Sequence, residues 1–413
     1  MAAVIAAFLL FFLVFASYFM LRPIRETFGI VGGVKHLQWL FTATFLATLG
    51  VVPLYGWLSK KMPRSILLPM SYGFVSVVTA GIATGLFIEP EDVWLARAFY
   101  VWVSVMNLFV ISIAWSLMAD VFSAEQGHRL FGRIAAGASL GGVVGPLLTN
   151  ILVDAIGHAG LLVLSTVLLL SSLIFVRYLL LWRARYGNPA DQRPPAQPIG
   201  GSIWAGVTTI LRSPYLLSIS LFILLLTSVS TFVYFEQARV VDASIPNPVD
   251  QTRLFSAIDT GVQALSLVIQ LFLTGEIARR LGVTTLLVSV PVAMIAGFLL
   301  LAATPALPIV VAVMMLRRVG EYALIRPGRE MLFTTVDAET KYKAKNAIDT
   351  VVYRGGDAVS AWLDAGLAAL GSSVLAACGG TLLAGLWAWS GWLIGKRHDA
   401  EAGQKAPTVP AAA

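Results

Sequence analysis

Residues 317–357 read RRVGEYALIRPGREMLFTTVDAETKYKAKNAIDTVVYRGGD, between the apolar runs LPIVVAVMML (307–316) and AVSAWLDAGLAAL (358–370). Charge at the depth of a membrane-spanning helix costs at least a few kcal/mol per residue. A chain that keeps Arg317, Arg318, Glu321, Arg354 and Asp357 between such runs has a use for them. The reading depends on whether the flanks cross a bilayer, and composition answers that. Of 413 residues 58% are hydrophobic and only 12% charged, against about 25% charged in a soluble domain. Apolar runs of roughly 20 residues recur along the whole chain, the length that spans a hydrocarbon core. The fold class is therefore an all-α integral membrane protein, and soluble enzymes are excluded.

Twelve spans are expected, at roughly 2–27, 37–58, 66–88, 94–118, 132–153, 158–181, 214–236, 252–274, 282–303, 307–328, 344–370 and 372–395. The first has no basic leader and runs straight into a charged segment, so it reads as a span and not a cleaved signal. The longest gap holds the Pro-rich, polar WRARYGNPADQRPPAQPIGG, then the short amphipathic SIWAGVTTILRS. This predicts an N-terminal six-helix half (1–181), a linker (182–213), a C-terminal six-helix half (214–395) and a tail (396–413), the organisation of a two-lobed transporter.

Lys and Arg fix the expected orientation. Gaps after even-numbered spans hold Lys60, Lys61, Arg64, Arg129, Arg183, Arg185, Arg193, Arg279, Arg280, Lys341, Lys343 and Lys345, and the tail adds Lys396 and Arg397. Gaps after odd-numbered spans hold Lys35, Arg239 and Arg253. The positive-inside rule puts both termini and the linker in the cytoplasm. The net charge of +7 reports this orientation and contact with anionic lipid, not nucleic acid. The single cysteine, Cys378, lies in an apolar run and the four histidines are scattered, so neither a disulfide framework nor a metal site is expected. No P-loop occurs, so transport is expected to be secondary. Nothing in the spacing suggests catalysis or a cofactor.

Arg317 and Arg318 lie ten and eleven residues into their span, about 15 Å at 1.5 Å per residue, half of a core about 30 Å thick. Glu321 stands at i+4 and i+3 from them, so one Arg has a partner on its own face. Arg354 reaches similar depth from the other direction, with Asp357 at i+3. A pair of salt bridges between the two spans would be a purely structural use; an excess of Arg lines an anion pathway. Arg22, Arg25 and Glu26 flank Pro23 at the end of the first span, either as an interfacial anchor or, if that span continues to Ile30, as cavity groups. Asn107, Arg97 and Asp259 lie within spans, as cavity groups or as local contacts. Gly137, Gly141 and Gly145, at i, i+4 and i+8, make a flat stripe for close helix approach or a sliding surface. Gly56 before Lys60 and Lys61 is echoed by Gly275 before Arg279 and Arg280 at the same place in the second half, and this resembles a degraded loop motif of the major facilitator superfamily.

Three blocks carry a more specific likeness: YFMLRPIRETFGI (18–30), AWSLMADVFSAEQGHRLFGRIAAGASLGG (114–142), and EYALIRPGREMLF (321–333) with KYKAKNAIDTVVYRGGD (341–357). They resemble the ATP/ADP translocases, or NTP/NDP exchange transporters, of plastids and intracellular bacteria. The likeness puts Arg25–Glu26, Glu125, Arg129, Phe131, Pro327, Arg329, Glu330, Lys343, Lys345, Asp349 and Arg354 on family positions. The chain departs from the family in three places. Arg25 stands for a Lys, Asn107 is the only polar group near a fourth-helix carboxylate, and Asp357 lies where a Lys is expected. The resemblance implies a twelve-helix major-facilitator fold in a bacterial inner membrane. It also implies alternating access and exchange of a small phosphorylated anion. Candidate substrate groups are Arg22, Arg25, Asn107, Arg317, Arg318, Glu321, Arg354 and Asp357; Glu26 and Asp259 are candidates for coupling. Two other readings stay open: a proton-coupled carrier of another organic anion or amphipathic compound, and a lipid-handling or non-transporting membrane protein whose charges are structural.

Overall fold

A run of 20 to 30 apolar residues leaves its backbone no water to bond, so it closes its hydrogen bonds internally as a helix. The computed structural model describes residues 1–186, 203–370 and 373–405, and it is helical almost throughout. The Pro-rich part of the linker and the last eight residues of the expected tail lie outside the described residues. The helices are α1 (Ala2–Val31), α2 (Leu37–Lys61), α3 (Arg64–Ile88), α4 (Val93–Val121), α5 (Ala124–Tyr186), α6 (Ile203–Arg212), α7 (Pro214–Ser244), α8 (Pro248–Ile269), α9 (Gly275–Ala303), α10 (Leu307–Gly320), α11 (Arg326–Leu332), α12 (Ala338–Ala347), α13 (Tyr353–Ala369) and α14 (Ser373–Lys405).

Two of these are double spans. At 63 residues, α5 is about twice the length a bilayer needs; it breaks at Gly157, whose φ of 64° only glycine adopts readily. The fifth and sixth spans thus turn on one residue. α8 and the start of α9 make the eighth span, and Gly282, at φ 78°, opens the ninth. Three π-turns sit inside the second half: Gln270–Thr274 in the eighth span, Glu321–Ile325 joining α10 to α11 in the tenth, and Ile348–Val352 joining α12 to α13 in the eleventh. The tenth and eleventh spans carry too much charge to stand out by hydropathy; with them the described residues hold twelve spans, as expected.

Several ends are set by side chains. Asp92 caps α4, accepting from the Trp94 and Leu95 N–H groups at 2.7 and 3.2 Å, and Asp337 caps α12 through Thr340 N–H. Asp399, near the end of α14, accepts from the Val283 and Thr284 N–H groups, both at 3.0 Å, and from Thr284 Oγ1 at 2.6 Å. These are the first donors after the Gly282 break, so α14 caps the ninth span.

The chain divides into two compact units. The first holds residues 1–200 with 241–264, the second 201–240 with 265–413. In the first unit α1 is central. The glycine stripe of α5 lets the two backbones touch: a Cβ on Gly145 would lie 2.6 Å from Ala16 O, and one on Gly141 2.9 Å from Ala16 N. The stripe is therefore close helix packing. Leu10, Phe11, Met20, Ile24, Tyr72 and Phe99 fill the interior around α1, and Tyr72 satisfies its buried hydroxyl on Val110 O at 3.0 Å. In the second unit Phe222, Leu287, Phe333 and Trp387 form the core, and α6 packs Gly206 on α12, beside Ala347.

Candidate functional site

In the first unit α1 runs to Val31, so Arg22, Arg25 and Glu26 are helical residues well before its end. Arg22 Nε lies 3.7 Å from Asp259 Oδ2, and Asp259 is fully buried. The Arg22 guanidinium also lies over the Phe19 ring, 5.8 Å from its centroid. Arg25 is ion-paired with its neighbour Glu26, lies over the Tyr100 ring and donates to Ser104 Oγ at 3.4 Å. Tyr100 and Ser104 stand at i and i+4 on α4, and Asn107, at i+7, continues that face. Asn107 is half-buried, and its side-chain oxygen has no hydrogen-bond partner among the described residues. Beside the charges, Thr252 Oγ1 shares hydrogen bonds with Thr27 Oγ1 at 2.7 Å and His158 Nε2 at 2.9 Å, tying α1, α5 and α8 together. Arg97, in contrast, is a local contact: its Nε donates to Gly32 O at 2.8 Å, where α1 ends.

In the second unit Arg317, Arg318 and Glu321 are all buried. Arg317 Nη1 donates to Glu321 Oε2 at 2.9 Å and to Ser230 Oγ of α7 at 2.7 Å. Its Nη2 reaches only the Met314 sulfur at 3.4 Å, and its buried Nε has no acceptor among the described residues. A thioether is a weak acceptor, so this guanidinium keeps donor capacity. Glu321 Oε1 also takes Arg326 Nη2 at 3.3 Å. Arg354 and Asp357 pair at 3.7 Å, and Thr231 Oγ1 donates to Asp357 Oδ1 at 3.4 Å. The expected i+4 and i+3 pairs are thus both present, and both lie within one span.

Ion pairs between the tenth and eleventh spans do occur, but further along. Arg329 Nη1 meets Asp349 Oδ1 at 3.0 Å, and Lys345 Nζ meets both Glu330 oxygens at 2.7 and 2.6 Å, with Arg329 and Glu330 3.7 Å apart. Four of the family-like positions therefore form one cross-helix network. On α11 it begins at Arg329, three residues beyond Arg326 of the Glu321 cluster.

Sequence reading missed two sets. Arg326 was hidden because i+5 is off-face in an α-helix. Arg239 was assigned to a gap, whereas α7 carries it inside the unit. There it grips buried Asp364 at 2.7 and 3.2 Å and also Glu236. Asp364 alone in AWLDAGL was the available signal.

The major facilitator family model matches residues 3–327. The chain is 22% identical over 351 residues to ADP,ATP carrier protein 1 of Chlamydia muridarum, covering 76% of this chain and 66% of the relative. It is 24% identical over 350 residues to the carrier of the same name from Chlamydia trachomatis, covering 75% and 66%; it thus spans just under two thirds of these relatives' length. Among solved structures, nucleoside transporter NupG superposes with a TM-score of 0.63 at 12% identity, covering 97% of this chain and 99% of that one. A bacterial homologue of the human lysosomal transporter Spinster gives 0.57 at 14% identity, covering 97% and 94%. The twelve-span fold, the apolar surface and a match over most of the length agree: the chain belongs to the Major Facilitator Superfamily, as a multi-pass membrane transporter.

Proposed function

We propose that this transporter exchanges phosphorylated anions of the nucleotide type by alternating access. The observation that carries the reading is the set of charges around Glu321 and Asp357 in the second unit. Arg317, Arg318, Arg326 and Arg354 stand against Glu321 and Asp357. Holding several ions inside a protein in a membrane costs several kcal/mol, and a multivalent anion set among arginines offsets part of that cost. Guanidinium forks grip phosphate in two places at once, which an ammonium does not. The similarity to ADP,ATP carriers adds support for nucleotides. In the first unit Arg22 and Arg25 are engaged by Asp259 and Glu26, so there we assign the positive charge to orienting the solute and the carboxylates to holding it. The Lys and Arg asymmetry supports cytoplasmic termini.

A second reading, proton-coupled carriage of another organic anion, is favoured by one observation: Asp259, a carboxyl group, is wholly buried, with Arg22 Nε 3.7 Å away. Liposomes loaded with ADP and given labelled ATP outside, with and without an uncoupler, separate the two. Exchange requires uptake that depends on internal nucleotide and ignores the uncoupler. Uptake of another anion that stops with the uncoupler means proton coupling, and no nucleotide uptake under any loading overturns the nucleotide reading.

A further inference from the structure

The π-turn at Glu321–Ile325 has a specific geometric effect. In an α-helix, residue i+5 lies about 140° around the axis from residue i. In a π-turn the hydrogen bonds close i to i+5, and residue i+5 returns to the same face. Arg326 N–H bonds to Glu321 O in this way, and the Arg326 side chain comes to lie on the face of Glu321. One buried carboxylate therefore holds two arginines, with Oε2 on Arg317 at i−4 and Oε1 on Arg326 at i+5. Without the extra residue in the turn, only the first pair would form.

The turn is held in place from outside. Thr274 Oγ1 donates to Ala323 O at 2.7 Å and Gln270 Nε2 to Tyr322 O at 2.8 Å. Both donors come from the π-turn of the eighth span, so two displaced carbonyls of the tenth-span turn have built partners. Arg326 is also turned the unexpected way for an anchor. An arginine near a span's end snorkels outward to headgroups. This one reaches back over the π-turn toward the buried Glu321, with its guanidinium over the Tyr322 ring at 4.4 Å, and its side chain stays 54% exposed.

We infer that Arg317 and Arg326 form a two-arginine clamp for a phosphoryl or pyrophosphoryl group, and that Glu321 is the internal anion that occupies the clamp when no substrate does. Arg326 touches substrate; Glu321 acts through the two arginines. Arg317 has the donors for this, since its Nε has no acceptor among the described residues and its Nη2 meets only sulfur. Incoming phosphate displaces a carboxylate of lower charge and takes over both forks. The inference rests on the phosphorylated-anion reading above and names the group of the substrate that is held.

The test uses the purified full chain and inorganic pyrophosphate, read by the concentration that gives half of the maximal thermal shift. The R326A variant is expected to raise that concentration about ten-fold or more, the loss of one charge-assisted contact. R326K is expected to fall between R326A and wild type, because it keeps charge and loses the fork. E321Q is expected to lower it several-fold while slowing exchange in liposomes, because the competing charge is gone and the loaded state is held longer. A monodisperse R326A protein with the wild-type midpoint, or a wild type that pyrophosphate does not shift, overturns the clamp. An E321Q midpoint above wild type removes Glu321 from the role given to it and overturns that half of the inference. Pyrophosphate binding with the expected ordering of variants, but no nucleotide uptake, keeps the clamp and sinks only the nucleotide reading.

Discussion

Arg354 shows how much one side chain decides. It lies about midway along the helix from Ala338 to Ala369, half-buried, with Asp357 as its i+3 partner and Thr231 steadying that carboxylate. Replacing it by alanine removes one of the four arginines set against Glu321 and Asp357 without opening the apolar core. Arg354→Ala is expected to insert and purify normally yet lose exchange by at least ten-fold, and Arg354→Lys to recover part of it; liposome uptake measures both. Wild-type rates in Arg354→Ala would return this arginine to a purely structural pair. Residues of this kind were legible from spacing alone wherever the helix is regular. Arg317 finds Glu321 at i+4 as its periodicity requires. Arg326 was not legible, because a π-turn shifts the register by one residue and no local residue type announces it. Arg239 was not legible because positive charge near a span's end reads as loop, while its partner Asp364 lies 125 positions away.

At the scale of elements, the contact of α1 with α5 carries the first unit. Gly137, Gly141 and Gly145 each face backbone or Cβ atoms of α1, so a side chain there displaces a helix and not a flexible neighbour. Gly141→Val is expected to lower the unfolding temperature in detergent by several degrees or abolish monodisperse protein. Gly132→Val, on the same helix with open space around it, is expected to change neither. Equal behaviour of the two variants would show that the helices are free to separate. The stripe was visible in the sequence, but its partner helix was not, since periodicity gives a face and never the neighbour across it. The hinge at Gly157 was equally hidden: a gap was expected between the fifth and sixth spans, and a single positive-φ glycine replaces it.

For the whole molecule, the alternation of charge and apolar runs was enough for twelve spans, and it gives an expected orientation that labelling tests. α7 and α8 take up Arg239 and Arg253, and α2, α3, α5, α9, α12 and α14 likewise take up the basic residues expected in the even-numbered gaps and the tail other than Arg193, so the asymmetry is one of helix ends. A cysteine at Gln192, in a chain whose exposed Cys378 has first been changed to serine, is expected to escape an impermeant thiol reagent on intact cells and to react once they are permeabilised. Labelling of intact cells would invert the topology and, with it, the direction in which the halves we assign to 1–181 and 214–395 open.

Asp399 gives the chain an order in time. Its carboxylate closes the first turn of the ninth span, yet it is made 116 residues after Val283. Domains emerge from the ribosome N-terminal end first, so the ninth span enters the bilayer with that turn uncapped and waits for α14. Assembly of the second unit therefore waits for residue 399 to be made, and a ribosome stalled short of it leaves an inserted bundle with the ninth span unfastened.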